Sequence, residues 1–205
     1  MRKAFIYKAV ISKSTEANAL KWLSLCSNLY NAALEQRIDA WKRCGVTLTG
    51  YDQANGLPAL KNAFPEYKDV GSQCLQDVIE RLDRAYKAFF RRLKAGEDPG
   101  FPRFKSRDRY DSFTLKQAGW RLEGRYLTIA NVGRFKLFLS RPVEGEIKTV
   151  TVRRAAGKWF VAFSCDNVRA REFPEPVKEA AGLDVGVKRF LIFMWLTPIR
   201  STDNL

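Results

Sequence analysis

The hydrophobic period of this chain changes twice along its length, and that alone narrows the folds open to it. Residues 3–11 (Lys-Ala-Phe-Ile-Tyr-Lys-Ala-Val-Ile) are rich in β-branched and aromatic residues and hold no turn residue, so they read as a strand. Helical spacing then takes over. Ser14 is the expected N-cap, with Glu16 in the first turn. Leu20, Leu23, Tyr30, Leu34, Ile38 and Trp41 recur every three or four residues until Gly45 stops the run. Trp22, Leu25, Cys26 and Leu29 widen that face, which predicts a helix packed on two sides. Residues 45–71 are broken by Gly, Pro and Asn and leave room for one short helix from Pro58 to Phe64. Ser72 is expected to cap a second long helix to about Ala95. Its stripe of Leu75, Val78, Ile79, Leu82, Ala85, Tyr86, Phe89, Phe90 and Leu93 ends before Gly96.

From Ser112 the period returns to that of strands. Trp120 to Ile129 reads as a hairpin turning at Glu123-Gly124, and Arg134 to Leu139 as a further strand. Glu146 to Arg154 and Lys158 to Cys165 make a second hairpin around Ala155-Ala156-Gly157. Strands at this spacing suggest a small antiparallel barrel or sandwich. The expected class is therefore α+β, with a long helical region between the first strand and the later ones. Pro174 and Pro176 mark a linker, and Ala181 to Phe193 opens a new segment.

The 205 residues carry a formal net charge of +14, with a hydrophobic fraction of 46%. That fraction is ordinary for a globular protein, whereas the charge favours polyanionic partners. There are no histidines, which excludes Ser-His and Cys-His nucleophilic chemistry and His-ligated metal sites. Cys26, Cys44, Cys74 and Cys165 form no C-x-x-C pair, so no zinc site is expected. Cys26 and Cys74 fall on apolar helical faces and read as reduced core residues. Met1-Arg2-Lys3 leads into a strand rather than a signal peptide, and the apolar run Phe190 to Leu196 is too short to span a bilayer. A cytoplasmic chain without a membrane partner is expected.

The charge is not spread evenly. Arg84, Lys87, Arg91 and Lys94 share one side of the second long helix, with Arg81 and Arg92 flanking them. A basic loop follows, Gly100-Phe101-Pro102-Arg103-Phe104-Lys105-Ser106-Arg107. A charge run is ordinarily a solvated helix face. Here ten Lys/Arg stand against four Asp/Glu between Arg81 and Arg109, and the run passes into a loop bearing Pro and Phe. Such a loop offers backbone N–H groups and aromatic faces to a phosphate–sugar chain. The candidate nucleic-acid-binding residues are Arg84, Lys87, Arg91, Arg92, Arg103, Lys105 and Arg107.

One aspartate stands apart. Asp184 lies in Gly182-Leu183-Asp184-Val185-Gly186-Val187-Lys188, an apolar run bounded by glycines. It could cap a strand or turn, or present a carboxylate to a metal ion.

Four motifs in order carry a family resemblance: Ala85-Tyr86-Lys87-Ala88-Phe89-Phe90-Arg91-Arg92, the loop Gly100 to Arg107, the hairpin Thr149-Val150-Thr151-Val152 … Gly157-Lys158-Trp159-Phe160-Val161, and Gly182 to Lys188. Together, over roughly residues 1–193, the chain resembles the TnpB/OrfB transposon proteins, which are similar to the type V CRISPR effectors. Such proteins are RNA-guided DNA endonucleases carried by insertion sequences and often called transposases. The resemblance implies an oligonucleotide-binding β-barrel from residues 1–12 and 110–172. A helical recognition domain, helix-turn-helix-like in its N-terminal part, would occupy 13–109. A linker at 173–180 would lead to the start of a RuvC-like (ribonuclease H-like) nuclease domain at 181–205. Asp184 matches that domain's first catalytic and metal-binding carboxylate, for Mg²⁺ in the intact family.

The resemblance also implies a second catalytic acid, a zinc-binding insertion of C-x-x-C pairs and a third aspartate. None has a counterpart here, and Asp203 is the only acid after Asp184. The expectation is thus a chain truncated after the first nuclease motif, with an aberrant tail. It would bind guide RNA and target DNA without cleaving by itself and without a functionally bound cofactor. The alternatives left open are a nuclease completed in trans by a complementary fragment, a non-functional remnant, and a DNA-binding regulator.

Overall fold

The computed structural model describes residues 1–169 with their side chains, and the backbone of 180–184 and 192–196. The expected linker around Pro174 and Pro176, the nuclease-start residues after Asp184 up to Leu191, and the tail after Leu196 lie outside the described residues. The chain forms two compact units, Met1–Arg169 and Ala170–Leu205.

The first unit is α+β. Its strands are β1 (Lys3–Ile11), β2 (Ser112–Leu115), β3 (Trp120–Glu123), β4 (Tyr126–Ile129), β5 (Gly133–Leu137), β6 (Glu146–Ala155) and β7 (Lys158–Asp166). They make one curled sheet in the order β2-β6-β7-β1-β5-β4-β3, antiparallel at every pairing. Alternation sets its inner face. Phe5 and Tyr7 of β1, Phe135 and Leu137 of β5, Val150 and Val152 of β6, and Val161 and Phe163 of β7 are all buried. Burying one such side chain stabilises by about 1.5–3 kcal/mol, so a one-residue slip of any strand would turn a whole row outward. The β6–β7 hairpin closes through Ala156 (φ 47°) and Gly157 (φ 71°). Two residues at positive φ are what a tight turn between twisted strands requires.

Between β1 and β2 the chain runs through α1 (Lys13–Cys44), α2 (Gly50–Asn55), α3 (Leu57–Ala63), a 3-10 turn (Pro65–Lys68) and α4 (Ser72–Lys94). α1 begins where β1 stops. The cap is therefore Ser12, not Ser14: Ser12 keeps extended backbone, and its Oγ accepts from the Thr15 N–H at 3.2 Å. Gly45 ends the helix in the left-handed region (φ 65°). α1 does pack on two sides, burying Leu23, Tyr30 and Leu34 together with Trp22, Leu25, Cys26 and Leu29.

α2 escapes the sequence pattern because it is only six residues long and has no apolar stripe. It is held by a capping box between Thr49 and Asp52. Ser72 does not cap α4; Gly71 occupies that position without a side-chain bond, and Ser72 Oγ accepts from Lys61 Nζ instead. The α4 stripe is buried only from Cys74 to Leu82. Phe90 and Leu93 are about half exposed, because β2 lies against the first half of the helix alone.

The helices are fixed to the sheet at three places. At the start of α1, Asn18 donates to the Val132 carbonyl at 3.1 Å and Trp159 Nε1 to Glu16 at 3.2 Å. Midway, Trp22 packs on Phe113 with ring centroids 5.3 Å apart. On α4, Arg81 pairs with buried Asp77 (2.6 Å) and donates to the Ser112 carbonyl (2.9 Å) and Thr114 Oγ1 (2.8 Å) of β2. Arg81 is thus a structural clamp rather than part of a solvated basic face. α1 and α4 meet through the buried thiols of Cys26 and Cys74, 3.5 Å apart and both reduced. That contact and burial push the Cys26 thiol well above its ordinary pKa. No described helix is long and apolar enough to cross a membrane.

The second unit shows two strands, β8 (Ala180–Asp184) and β9 (Ile192–Leu196), paired antiparallel with Asp184 opposite Ile192.

Replacing Arg81 with Ala leaves buried Asp77 with only its longer contact to Arg84 and frees the ties to β2, a loss of about 3 kcal/mol. Arg81→Ala is expected to lower the urea midpoint accordingly. Arg84→Ala, one turn along at the surface, is expected to shift it by less than about 1 kcal/mol.

Candidate nucleic-acid interface

The basic surface is built where α4 outruns the sheet. Past Leu82 the helix has no strand against it, so the charged residues of its last three turns meet water. Arg84, Lys87, Arg91 and Arg92 are all exposed. Arg84 reaches back to Asp77 (3.5 Å) and the Glu80 carbonyl, Lys87 pairs with Asp83 (2.9 Å), and Arg92 approaches Glu97 (3.9 Å). The cations of these pairs are exposed, although Asp77 and Asp83 are largely covered. Arg91 makes no ion pair among the described residues.

The loop that follows is pinned at both ends. At its start, Phe101 packs edge-on against Tyr86 (5.6 Å) and Phe89 (5.3 Å). Further on, Asn31 of α1 grips the backbone of Lys105, accepting its N–H at 2.9 Å and donating to its carbonyl at 2.8 Å. Ser27 Oγ donates to the same carbonyl at 3.3 Å. Between and beyond these anchors Arg103 and Arg107 stand exposed. The arrangement brings six of the seven residues singled out from the sequence to one exposed stretch of α4 and its loop.

Lys105 behaves differently. Its ammonium lies over the rings of Tyr30 (4.6 Å) and Tyr110 (5.4 Å), partly buried between α1 and the loop. Burial and the nearby Arg81 hold its pKa below the usual lysine value. A cation seated on two aromatic faces anchors the loop and is poorly placed to reach a phosphate. Spacing could not reveal this, because Tyr30 and Tyr110 lie far from it in sequence.

A second basic and aromatic surface was missed. The outward side of β1, β5 and their neighbours shows Lys8 over Phe138 (5.9 Å) and Arg134 over Tyr126 (3.8 Å), with Lys136 opposite Val10. The alternation of β1 already carries the signal, since Ile6, Lys8 and Val10 share one face. Asp184 lies at the end of β8, and its side-chain surroundings are outside the described residues. Among the described residues no group of three His, Cys, Asp or Glu could hold a metal ion. Mg²⁺ keeps its waters unless several oxygens converge on it, so the described residues do not fit a Mg²⁺ site.

Asp83 organises the far side of α4. Its Oδ1 accepts from Arg37 (3.2 Å) and the Gly50 N–H (3.2 Å), and Lys87 reaches its other oxygen. Desolvation raises its pKa, but the bonds from Lys87 and Arg37 outweigh this and hold the carboxyl below its ordinary value. A depressed carboxyl adds stability that is complete above its unfolded pKa of about 3.9 and is lost as pH falls through the folded value. Asp83→Asn is therefore expected to lower the melting temperature at pH 7, with the gap to the parent protein closing below about pH 3.9.

No family model matches the chain. Two curated proteins do. One, named "Putative RNA-guided DNA endonuclease InsQ" from Escherichia coli (strain K12), is 31% identical over 194 residues, covering 91% of this chain and 46% of the relative. Another, named "Putative RNA-guided DNA endonuclease" from Streptomyces pristinaespiralis, is 29% identical over 204 residues, again covering 91% and 46%. The chain spans about half the length of the curated relatives it matches. Among solved structures, it superposes on a chain of the cryo-EM Cas12f1–sgRNA–target DNA complex with a TM-score of 0.50. That match covers 97% of this chain and 55% of the other at 14% identity, which is a likeness of fold. Sequence and fold thus agree with the motifs: over about half of their length, the chain is a relative of the TnpB-like proteins named as RNA-guided DNA endonucleases.

Proposed function

We propose that residues 1–169 are the nucleic-acid-binding body of a transposon-associated, RNA-guided DNA endonuclease, holding guide RNA and target DNA chiefly through phosphates. The carrying observation is the exposure of Arg84, Lys87, Arg91, Arg92, Arg103 and Arg107 on one continuous stretch of α4 and its loop. Phosphate contacts of this kind position a strand without reading its sequence. In guided systems base pairing supplies the sequence and the protein recognises backbone geometry. The relatives' names and the complex that holds the Cas12f1 chain support RNA and DNA as the partners.

In this reading the curled sheet is the oligonucleotide-binding barrel and the helices between β1 and β2 are the recognition domain. β8 opens a ribonuclease H-like nuclease domain, with Asp184 as its first carboxylate. Residues 1–169 would bind and would not cleave.

Each phosphate contact adds about 0.7–0.9 to the slope of log affinity against log salt. Changing the six exposed bases to Ala is expected to lower that slope by about 4–5 for a guide-length RNA. Lys105→Ala is expected to leave the slope unchanged and to reduce stability. Filter binding from low to moderate salt checks this. An unchanged slope in the six-site variant would show that α4 and its loop do not carry the RNA.

A further inference from the structure

The last turns of α1, the Val46–Tyr51 segment and the exposed half of α4 enclose a cavity of about 850 Å³. Aromatic rings dominate its walls. Trp41 is 64% exposed, Tyr51 76%, Phe90 48% and Phe101 46%. The rings form a built surface. Tyr86 and Phe90 lie with centroids 6.3 Å apart and planes inclined by 30°, and Phe89 meets Phe101 edge to face at 5.3 Å. Flat aromatic area of this size left open to water marks an interaction site. Its volume lies in the range of pockets that enclose a small molecule, roughly 300–1,000 Å³.

Charge decides the occupant. The charged residues lining the cavity are Arg37, Lys42, Lys87 and Asp83, three cations to one acid. Asp83 is already satisfied by Arg37 and Lys87. Lys87 also belongs to the basic face of α4, so the aromatic wall and the phosphate-binding face share an edge. A second copy of this chain would set Lys42 and Lys87 against their own images and one +14 charge against another. A basic protein segment meets the same repulsion. A polyanion with flat apolar faces fits both the lining and the rim, and single-stranded nucleic acid has that chemistry, since every base offers a π-face.

We propose that this cleft captures unstacked bases of a single strand, stacking them on Trp41 and Phe90 while the strand's phosphates follow Lys87 and Arg91. The inference rests on the nucleic-acid reading above and adds to it a second mode of contact, which selects unpaired over paired strands. Stacking of this kind tolerates sequence, so the cleft would grip any unpaired base presented beside the basic face.

The test uses the full chain with a short single strand carrying 2-aminopurine, and with the same strand fully paired. Stacking on an aromatic ring quenches 2-aminopurine. The parent protein is expected to quench the single strand and not the duplex. The double variant Trp41→Ala, Phe90→Ala is expected to lose that quenching and to weaken single-strand binding about tenfold or more. Its salt slope and its duplex affinity should stay unchanged. Trp41→Phe, which keeps a stacking face, should retain binding. Phe64→Ala, an exposed ring at the end of α3 outside the cleft, should leave quenching and binding unchanged.

Unchanged single-strand affinity in the double variant overturns the cleft while leaving the phosphate-binding reading intact. A parent dimer in sedimentation that the double variant dissolves overturns it in favour of self-association. A parent protein that binds neither strand overturns both readings.

Discussion

Much of the structure depends on one fork of hydrogen bonds, from Arg81 to Asp77, Ser112 and Thr114. All the described helices are threaded between β1 and β2, so the chain leaves the sheet at its centre and must return at its edge. β2 is only four residues long and pairs on one side, with β6. A guanidinium can satisfy a β2 carbonyl and hydroxyls while neutralising a buried carboxylate on its own helix, which a lysine cannot do with one ammonium. Gln73 adds a second tie, its Oε1 accepting from the N–H groups of Lys116, Gln117 and Ala118. The edge strand and the loop after it are thereby positioned by the first half of α4.

That anchoring divides the helix. Up to Leu82 its apolar stripe meets α1 and the sheet. Beyond that point the same stripe continues with no sheet to cover it, and α1, α2 and the Phe101 loop give only partial walls. Arg37 stiffens this outer part. It is buried, holds Gln53 Oε1 at 2.7 Å and Asp83 at 3.2 Å, and lies over the ring of Tyr86 at 4.9 Å. Gly50 is required there, because a Cβ would come within 2.9 Å of the Asp83 carboxyl carbon. The free end of α4 therefore presents cations on one side and aromatic rings on another.

The candidate site was legible where chemistry follows helical spacing and hidden where it follows long-range packing. Arg84, Lys87, Arg91 and Arg92 fall on exposed positions because α1, α2 and the Phe101 loop cover only the aromatic side of α4 beyond Leu82. Arg103 and Arg107 are exposed because a short loop pinned by Phe101 and Asn31 has no interior to receive them. Lys105, in the same run, is drawn onto Tyr30 and Tyr110, since a long side chain with an apolar stem can cover rings that its neighbours cannot reach. Trp41 shows the reverse. Its place in the α1 repeat marks it as core, yet it is exposed because the repeat outlasts its partner.

The sequence by itself determined the alternation of strand and helix, the sites of the β6–β7 turn and the α1 stop, the excess of positive charge, and the order of motifs shared with TnpB-like proteins. These are local properties, set by side-chain periodicity, by glycine at positive φ and by composition. Tertiary structure alone decided the strand order β2-β6-β7-β1-β5-β4-β3, the place of α2 against Asp83, the conversion of Arg81 into a clamp, and the end of burial along α4. Each depends on residues far apart in the chain, and their contact energies have no counterpart in local spacing.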